Sequence, residues 1–274
     1  MAQSTFTDAE KAPPRRIEFM GLSLDNVTFD EAVDRIIAMA RENTPRYVVT
    51  PNVDHIMQFR KDAKFREVYR KAALVLTDGM PVVWASRLLG DPIKEKVSGS
   101  DLFPRVSEEA ARSGLSICIL GGRVGAAEEC ARILKGRHPD LKIAGTLCPR
   151  WGFHLDPEQN REVTEAVRAA SPDILFVALG APKQEFWMHD NCKEMGVPIS
   201  LGVGAAVDFV SGKALRAPDW MQRFCLEWLY RLNNEPRRLW KRYLIDDSPF
   251  ILRVMKHLVF RGSGKKRKPS GEKS

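Results

Sequence analysis

The stretch "LVLTDGMPVVWASRLLG", residues 74–90, decides the fold. Leu74 to Thr77 read as a short apolar strand, Asp78-Gly79 turns the chain, and Pro81 sits in the first turn of a helix, where a missing N–H does no harm. A strand that feeds straight into a helix is half of a βαβ unit, and the same pattern recurs on both sides. Strands are predicted at 46–50, 74–77, 115–120, 141–147, 173–179 and 197–203, each short, apolar and bounded by Gly, Pro or a charge. Helices are predicted between most of them. Thr28-Phe29-Asp30-Glu31 is a capping-box signature opening a helix through Ala40, and 53–72, 81–89, 101–113, 125–136, 157–170 and 182–194 read as further helices. The expected class is α/β, a mostly parallel Rossmann-like sheet sandwiched by helices.

With 274 residues, 44% of them hydrophobic, the chain can bury a full core, and one main domain with an appendage is the natural expectation. No uncharged apolar run approaches the ~20 residues of a membrane-spanning helix, and "MAQSTFTDAEKAPPRR" lacks the apolar centre of a signal peptide, so a cytosolic location is expected. Five widely spaced cysteines without a C-x-x-C pair read as buried free thiols. The net charge of +8 is unevenly placed: residues 216–274 hold 15 Lys and Arg against 6 Asp and Glu, and the remainder is nearly neutral. The same segment carries Trp220, Trp228, Trp240, Tyr230 and Tyr243, and cations interleaved with interfacial rings suit an anionic membrane surface. The expected organisation is a disordered N-terminus (1–14), an α/β core (15–215), a helical membrane-associating appendage (216–260) and a disordered basic tail (261–274). Within the appendage, 220–234, 236–245 and 248–260 read as helices.

In an open α/β sheet, ligands collect at the carboxyl ends of the strands. There the sequence places Thr50, Asn52 and Asp54, then Asp78, then Gly121, Gly122 and Arg123, then Gly180, Pro182, Gln184 and Glu185, and finally Gly202, Gly204 and Asp208. Such a collection points to a nucleotide or phosphate site. The loop "ILGGRVG" is either a diphosphate cradle or a tight strand-to-helix turn; it is not a G-x-G-x-x-G fingerprint, because Leu120 stands where the first glycine is required. No D-x-D pair and no histidine pair of ligand spacing is present, so neither a metal nor another cofactor is expected, and Arg or Lys must neutralise any diphosphate. No G-x-S-x-G elbow supports a serine nucleophile. Glu185 is expected to support a helix start, where an acid suits the dipole.

Seven ordered blocks, "VTPNVDHI" (49–56), "LTDGMPVVWASRLLG" (76–90), "KVSGSDLFPRV" (96–106), "LGGRVGAAEECARIL" (120–134), "ALGAPKQEFWM" (178–188), "LGVGAAVDFVSG" (201–212) and "RAPDWMQRFCLEWLYRLNNEPRR" (216–238), together resemble the WecG/TagA/CpsF family of bacterial glycosyltransferases. The resemblance covers roughly residues 17–245. It implies a metal-independent, inverting transfer from a UDP-sugar to a sugar linked to polyprenyl diphosphate, on the cytoplasmic face of the membrane. N-acetylmannosamine or its uronic acid is the favoured donor sugar, and another donor such as UDP-glucose would fit exopolysaccharide assembly. Asp78 would be the base that takes the acceptor hydroxyl proton, although Asp-Gly is also a common turn pair. Thr50 and Asn52 look like sugar-binding groups, with a loop cap as the plain alternative. Gln184 and Asp208 match positions expected to contact the donor nucleotide beside Gly122. Where relatives often carry Arg, this chain has Lys96, which keeps the charge and loses the bidentate fork.

Arg231, Arg238 and Lys241 in the appendage are the cations expected to meet the diphosphates, with surface salt bridging as their plain reading. The expected partners are a UDP-sugar, the lipid-linked acceptor and an anionic membrane surface, with a homo-oligomer left open and no nucleic acid. Two competing classes, a nucleotide-dependent oxidoreductase and a nucleic-acid module built on "KKRKP", leave Asp78 and the ordered blocks unexplained.

Overall fold

In the computed structural model, residues 13–218, 220–221, 226–234, 236–241 and 249–256 are described, without the side chains of Arg231, Arg238 and Leu239. The disorder expected of 1–14 and 261–274 lies outside these residues except at positions 13 and 14, as do parts of the three appendage helices.

The six predicted strands form one parallel sheet. In chain order they are β3 (Arg46–Val49), β4 (Leu74–Val75), β5 (Ser116–Gly121), β6 (Lys142–Leu147), β7 (Ile174–Ala178) and β8 (Ile199–Gly202), and their spatial order is β4-β3-β8-β7-β5-β6. The chain therefore steps outward from β3 to β4 and then crosses to β5 on the other side. That reversal places the ends of β3, β8 and β7 at the centre of the edge where ligands bind.

Alternation along each strand builds a core on both faces. Tyr47 and Val49, Cys118 and Leu120, and Leu175 and Val177 face one side. Val48, Ile117 and Ile119, Ile174 and Phe176, and Ile199 and Leu201 face the other. The first side is covered by α2 (Val53–Lys61), α3 (Ala63–Lys71), α4 (Met80–Leu88), α7 (Pro157–Ala170) and α8 (Lys183–Met195). The second is covered by α1 (Phe29–Ala40), α5 (Gly99–Ser113), α6 (Ala126–Arg137) and the short α9 (Ala206–Val210). A strand buried on both faces must be apolar throughout, which is why these segments read as short continuous runs.

The capping box at Thr28 forms as predicted: its hydroxyl accepts from Glu31 N–H and Glu31 accepts from Thr28 N–H at 2.8 Å. The helix expected over 53–72 is two helices. Asp62 adopts an extended backbone, ends α2 and caps α3 by accepting from Phe65 N–H at 3.1 Å.

A hairpin that the strand predictions did not include precedes the sheet, β1 (Arg16–Phe19) with β2 (Leu22–Asp25), turning at Met20-Gly21. Its buried Ile17, Phe19, Leu22 and Leu24 join the first core. Asp25 ties it to the sheet: one oxygen accepts from Val75 N–H at 2.8 Å and the other from Arg16 Nε at 2.9 Å. A carboxyl group thus satisfies an edge-strand donor that would otherwise lack a partner.

Beyond residue 217 the structure contains α10 (Glu227–Asn234), α11 (Pro236–Lys241) and a helical stretch at 249–256. The last of these returns to the hairpin, where Phe250 and Val254 are buried and the Phe250 ring lies 6.3 Å from that of Phe19. No helix among the described residues is long and apolar enough to cross a membrane.

Candidate active site

Asp78 stands three residues past β4, half-buried, and its position is set by backbone pairing with the neighbouring strand. Leu76 N–H donates to Val49 O and Asp78 N–H to Pro51 O, both at 2.9 Å. The parallel register Val48 to Leu74 and Val49 to Val75 brings Thr50 and Asn52 level with it. The sheet order assumed for these three residues is the one observed. Gly79, with φ +107°, caps the following α4 and turns the chain so that Asp78 remains at the edge. The Asp-Gly pair is therefore a turn, and it also delivers a carboxyl group to the strand ends.

Lys96 arrives by the same means. Val97 N–H donates to Thr77 O at 2.7 Å, which lays 96–98 beside the residue preceding Asp78. Ser98 then caps α5 by accepting from Asp101 N–H, and α5 aims its N-terminus at the strand ends. A Cβ on Gly99 would sit 3.0 Å from Gly202 O and 3.4 Å from the Thr50 hydroxyl, so only glycine lets the helix approach so closely. Lys96 Nζ lies 3.2 Å from Asp101, whose other oxygen accepts from Arg216 at 2.6 Å. Burial pushes the Asp101 carboxyl up, but the Ser98 hydroxyl and the cations Lys96 and Arg216 outweigh it and hold it below the usual carboxylate range. Two cations thus share one acid next to a helix N-terminus, an arrangement suited to anionic oxygens. Arg216 was not among the sequence candidates; the only signal for it was its place in "RAPDW".

Across the edge, polar side chains hold the loops. Gly122, with φ +85°, donates its N–H to Ala178 O, and the next N–H, of Arg123, donates to Asp208 Oδ1 at 2.7 Å. At these two positions the glycine loop is a tight turn whose donors are engaged by the protein. Asp208, in the short α9, is the acceptor that closes it. Gln184 is buried in the first turn of α8, where its Oε1 accepts from Gly204 N–H at 3.1 Å and its Nε2 donates to Glu185 at 2.9 Å. Glu185 occupies the first turn of α8 as expected, but its carboxyl group faces inward, 3.4 Å from His55 Nε2. Neither His55 nor this contact was legible in the sequence, because α2 and α8 are far apart along the chain.

Lys241 ends α11, exposed; α10 and α11 carry Arg231 and Arg238, whose side chains lie outside the described residues. A groove of about 800 Å³ among Phe19, Arg60, Leu89 and Arg253 lies at the far ends of α2 and α4, away from Asn52 and Asp78. Four cysteines are free, and burial pushes the Cys118 and Cys130 thiols up to about 12 and that of Cys192 to about 11, which suits packing and not nucleophilic attack. Cys225 lies outside the described residues. Among those residues, no three His, Cys, Asp or Glu side chains gather as metal ligands.

A profile described as "Glycosyl transferase WecG/TagA/CpsF family" matches residues 17–264. Three similar chains are all named N-acetylglucosaminyldiphosphoundecaprenol N-acetyl-beta-D-mannosaminyltransferase. One, from Bacillus spizizenii, is 32% identical over 79% of this chain and 81% of its own. Another, from Bacillus subtilis, is 33% identical over 72% and 73%. A third, from Staphylococcus aureus, is 25% identical over 86% and 90%.

Proposed function

This chain belongs to the WecG/TagA/CpsF family of glycosyl transferases, and on that premise we propose that it moves a sugar from a UDP-sugar onto a sugar carried by polyprenyl diphosphate. N-acetylmannosamine or its uronic acid is the favoured donor sugar. The names of the relatives support an N-acetylglucosamine-diphosphoundecaprenol acceptor. The setting is the inner face of the cell membrane, in assembly of a cell-surface polysaccharide.

The observation that carries the reading is the carboxyl group of Asp78 at the strand ends, its backbone hydrogen-bonded to Pro51 between Thr50 and Asn52. In the proposed step the acceptor hydroxyl gives its proton to Asp78 as its oxygen bonds to the anomeric carbon, and the bond from that carbon to the UDP oxygen breaks with inversion. Thr50 and Asn52 orient the sugars. Lys96 and Arg216, with Arg231, Arg238 and Lys241 from the appendage, balance diphosphate charge without a metal ion. Asp208, Gln184 and Gly122 shape the nucleotide side, and basic and aromatic residues of the appendage hold the enzyme on anionic lipid.

The test is a panel of UDP-sugars with N-acetylglucosamine-diphosphopolyprenol, read by mass spectrometry with and without EDTA. The expected result is one glycosylated lipid product, undiminished by EDTA. No product with any UDP-sugar rejects the reading, and loss in EDTA restored by magnesium or manganese rejects metal independence.

A further inference from the structure

We propose that His55 and Glu185 are a buried positioning pair that keeps the two sides of the site in register, the ring acting through Asn52 and the carboxyl group through Gln184. The inference rests on the transferase reading above.

His55 is 4% exposed and Glu185 1%, and neither can reach substrate itself. His55 Nδ1 lies 2.7 Å from Asn52 Oδ1, the same oxygen that accepts from His55 N–H. Asn52 N–H in turn donates to Nδ1 at 3.3 Å, so ring and loop hold each other in a capping box at the start of α2. The other ring nitrogen then faces Glu185 Oε1 at 3.4 Å, and that oxygen also accepts from Gln184 Nε2. Gln184 in turn accepts from Gly204 N–H. A run of contacts Asn52–His55–Glu185–Gln184–Gly204 therefore joins the loop after β3 to the loop after β8, its middle link a 3.4 Å approach of His55 Nε2 to Glu185 that falls short of hydrogen-bond geometry. The ring cannot swing away, because it stacks on Phe65 at 6.1 Å and 18° and meets Tyr69 at 6.4 Å.

Stability alone does not explain such a pair. Burying ionisable partners costs several kcal/mol, and apolar side chains of the same volume serve a core as well or better. What a histidine and an acid add is direction: one amide is held by its oxygen and the other by its nitrogen, so neither can flip. A site that must bring a donor sugar and an acceptor hydroxyl to about 3–3.5 Å is sensitive to displacements of that kind.

The experiment compares His55→Asn, Glu185→Gln and the double variant in steady-state transfer, with melting temperatures alongside. Each single change is expected to lower kcat roughly 10- to 100-fold, with KM for both substrates within about threefold. The double variant should lose no more than the larger single loss, since the second change cuts a run already broken. Unchanged kcat, or losses that multiply in the double variant, would overturn the proposal. A measurement on the unaltered protein covers variants that fail to fold: nitrogen-15 correlation spectra of the imidazole should show His55 protonated at Nε2, the nitrogen that faces Glu185. A neutral ring protonated only at Nδ1 would leave two acceptors face to face and overturn it too. If the unaltered enzyme transfers no sugar, the transferase reading fails, and the imidazole spectrum still decides the pair.

Discussion

The two sides of the strand-end edge are held together in different ways. On the side of β3 and β4, main chain holds main chain: Leu76 to Val49, Asp78 to Pro51 and Val97 to Thr77. On the side of β5, β7 and β8, main-chain bonds such as Gly122 to Ala178 and Val203 to Val177 are joined by side chains that hold the next N–H: Asp208 accepts from Arg123 N–H, and Gln184 from Gly204 N–H. The difference teaches which substitutions remove chemistry and which remove shape. A loop fixed by its own backbone keeps its course when a side chain is cut, whereas a loop fixed by a side chain follows that side chain when it goes. Asn52 and Ser98 are exceptions on the first side, since their side chains cap α2 and α5.

Asp78→Ala should break the comparison most sharply if the contrast is wrong. It is expected to lower kcat by roughly 10²- to 10⁴-fold, the range of a positioned general base, while UDP binding by calorimetry stays within a few-fold and the melting temperature holds. Loss of UDP binding in step with kcat would show that this side carries shape after all.

Gly202→Ala tests the other side from beneath. The added Cβ would lie 2.8 Å from Gln184 Nε2 and 3.0 Å from Met188 Cε, so the amide must move off Gly204. Overpacking of this kind destabilises by about 1–3 kcal/mol, read in urea melts, and both kcat and UDP affinity should fall with it.

Asp208→Ala removes one charge-assisted bond to the Arg123 N–H. The Kd for UDP should rise roughly tenfold with kcat within about threefold, the reverse of the Asp78 pattern. Equal effects on both quantities would erase the distinction between the two sides.

The smallest effect is in pH. Because the folded-state carboxyl of Asp101 is depressed, its contribution to stability is present above the unfolded value of about 3.9 and is lost as pH falls through the lower folded value. Asp101→Asn should therefore be less stable than the parent at pH 6, with the gap in melting temperature closing as the pH is lowered towards 3. A constant gap would mean that Lys96 and Arg216 do not act on that carboxyl.

Much of this was legible in the sequence where the signal is local. A strand buried on both faces is a continuous apolar run, a capping box is four consecutive residues, and Asp78 is visible because Asp-Gly ends one such run. The hairpin was missed because "RIEFMGLSLD" alternates over only four residues on each side and turns on Met20, a residue with φ +54° and no turn preference. The break at Asp62 was missed because periodicity runs through it, and only the competition of its carboxyl group for Phe65 N–H ends the helix. His55, Glu185 and Arg216 depend on contacts across 130, 130 and 115 positions, which no local pattern encodes.

The return of residues 249–256 to the hairpin turns the appendage into a closed loop. Ala217 is buried at one end and Phe250 at the other, so the 32 residues between them are tethered twice. The length-dependent entropy of closing a loop of that size is about 3 kcal/mol. Burying Phe250 and Val254 contributes about 1.5–3 kcal/mol each, enough to offset it. The consequence is an effective concentration: under the proposed function, Arg231 and Arg238 would stay within reach of the tether and need little intrinsic affinity to meet a diphosphate. Cutting the chain at Gly212 would remove the cations together with three buried residues, Ala217, Phe250 and Val254, whereas excising only 226–241 and rejoining the ends would remove the cations and leave those three to pack.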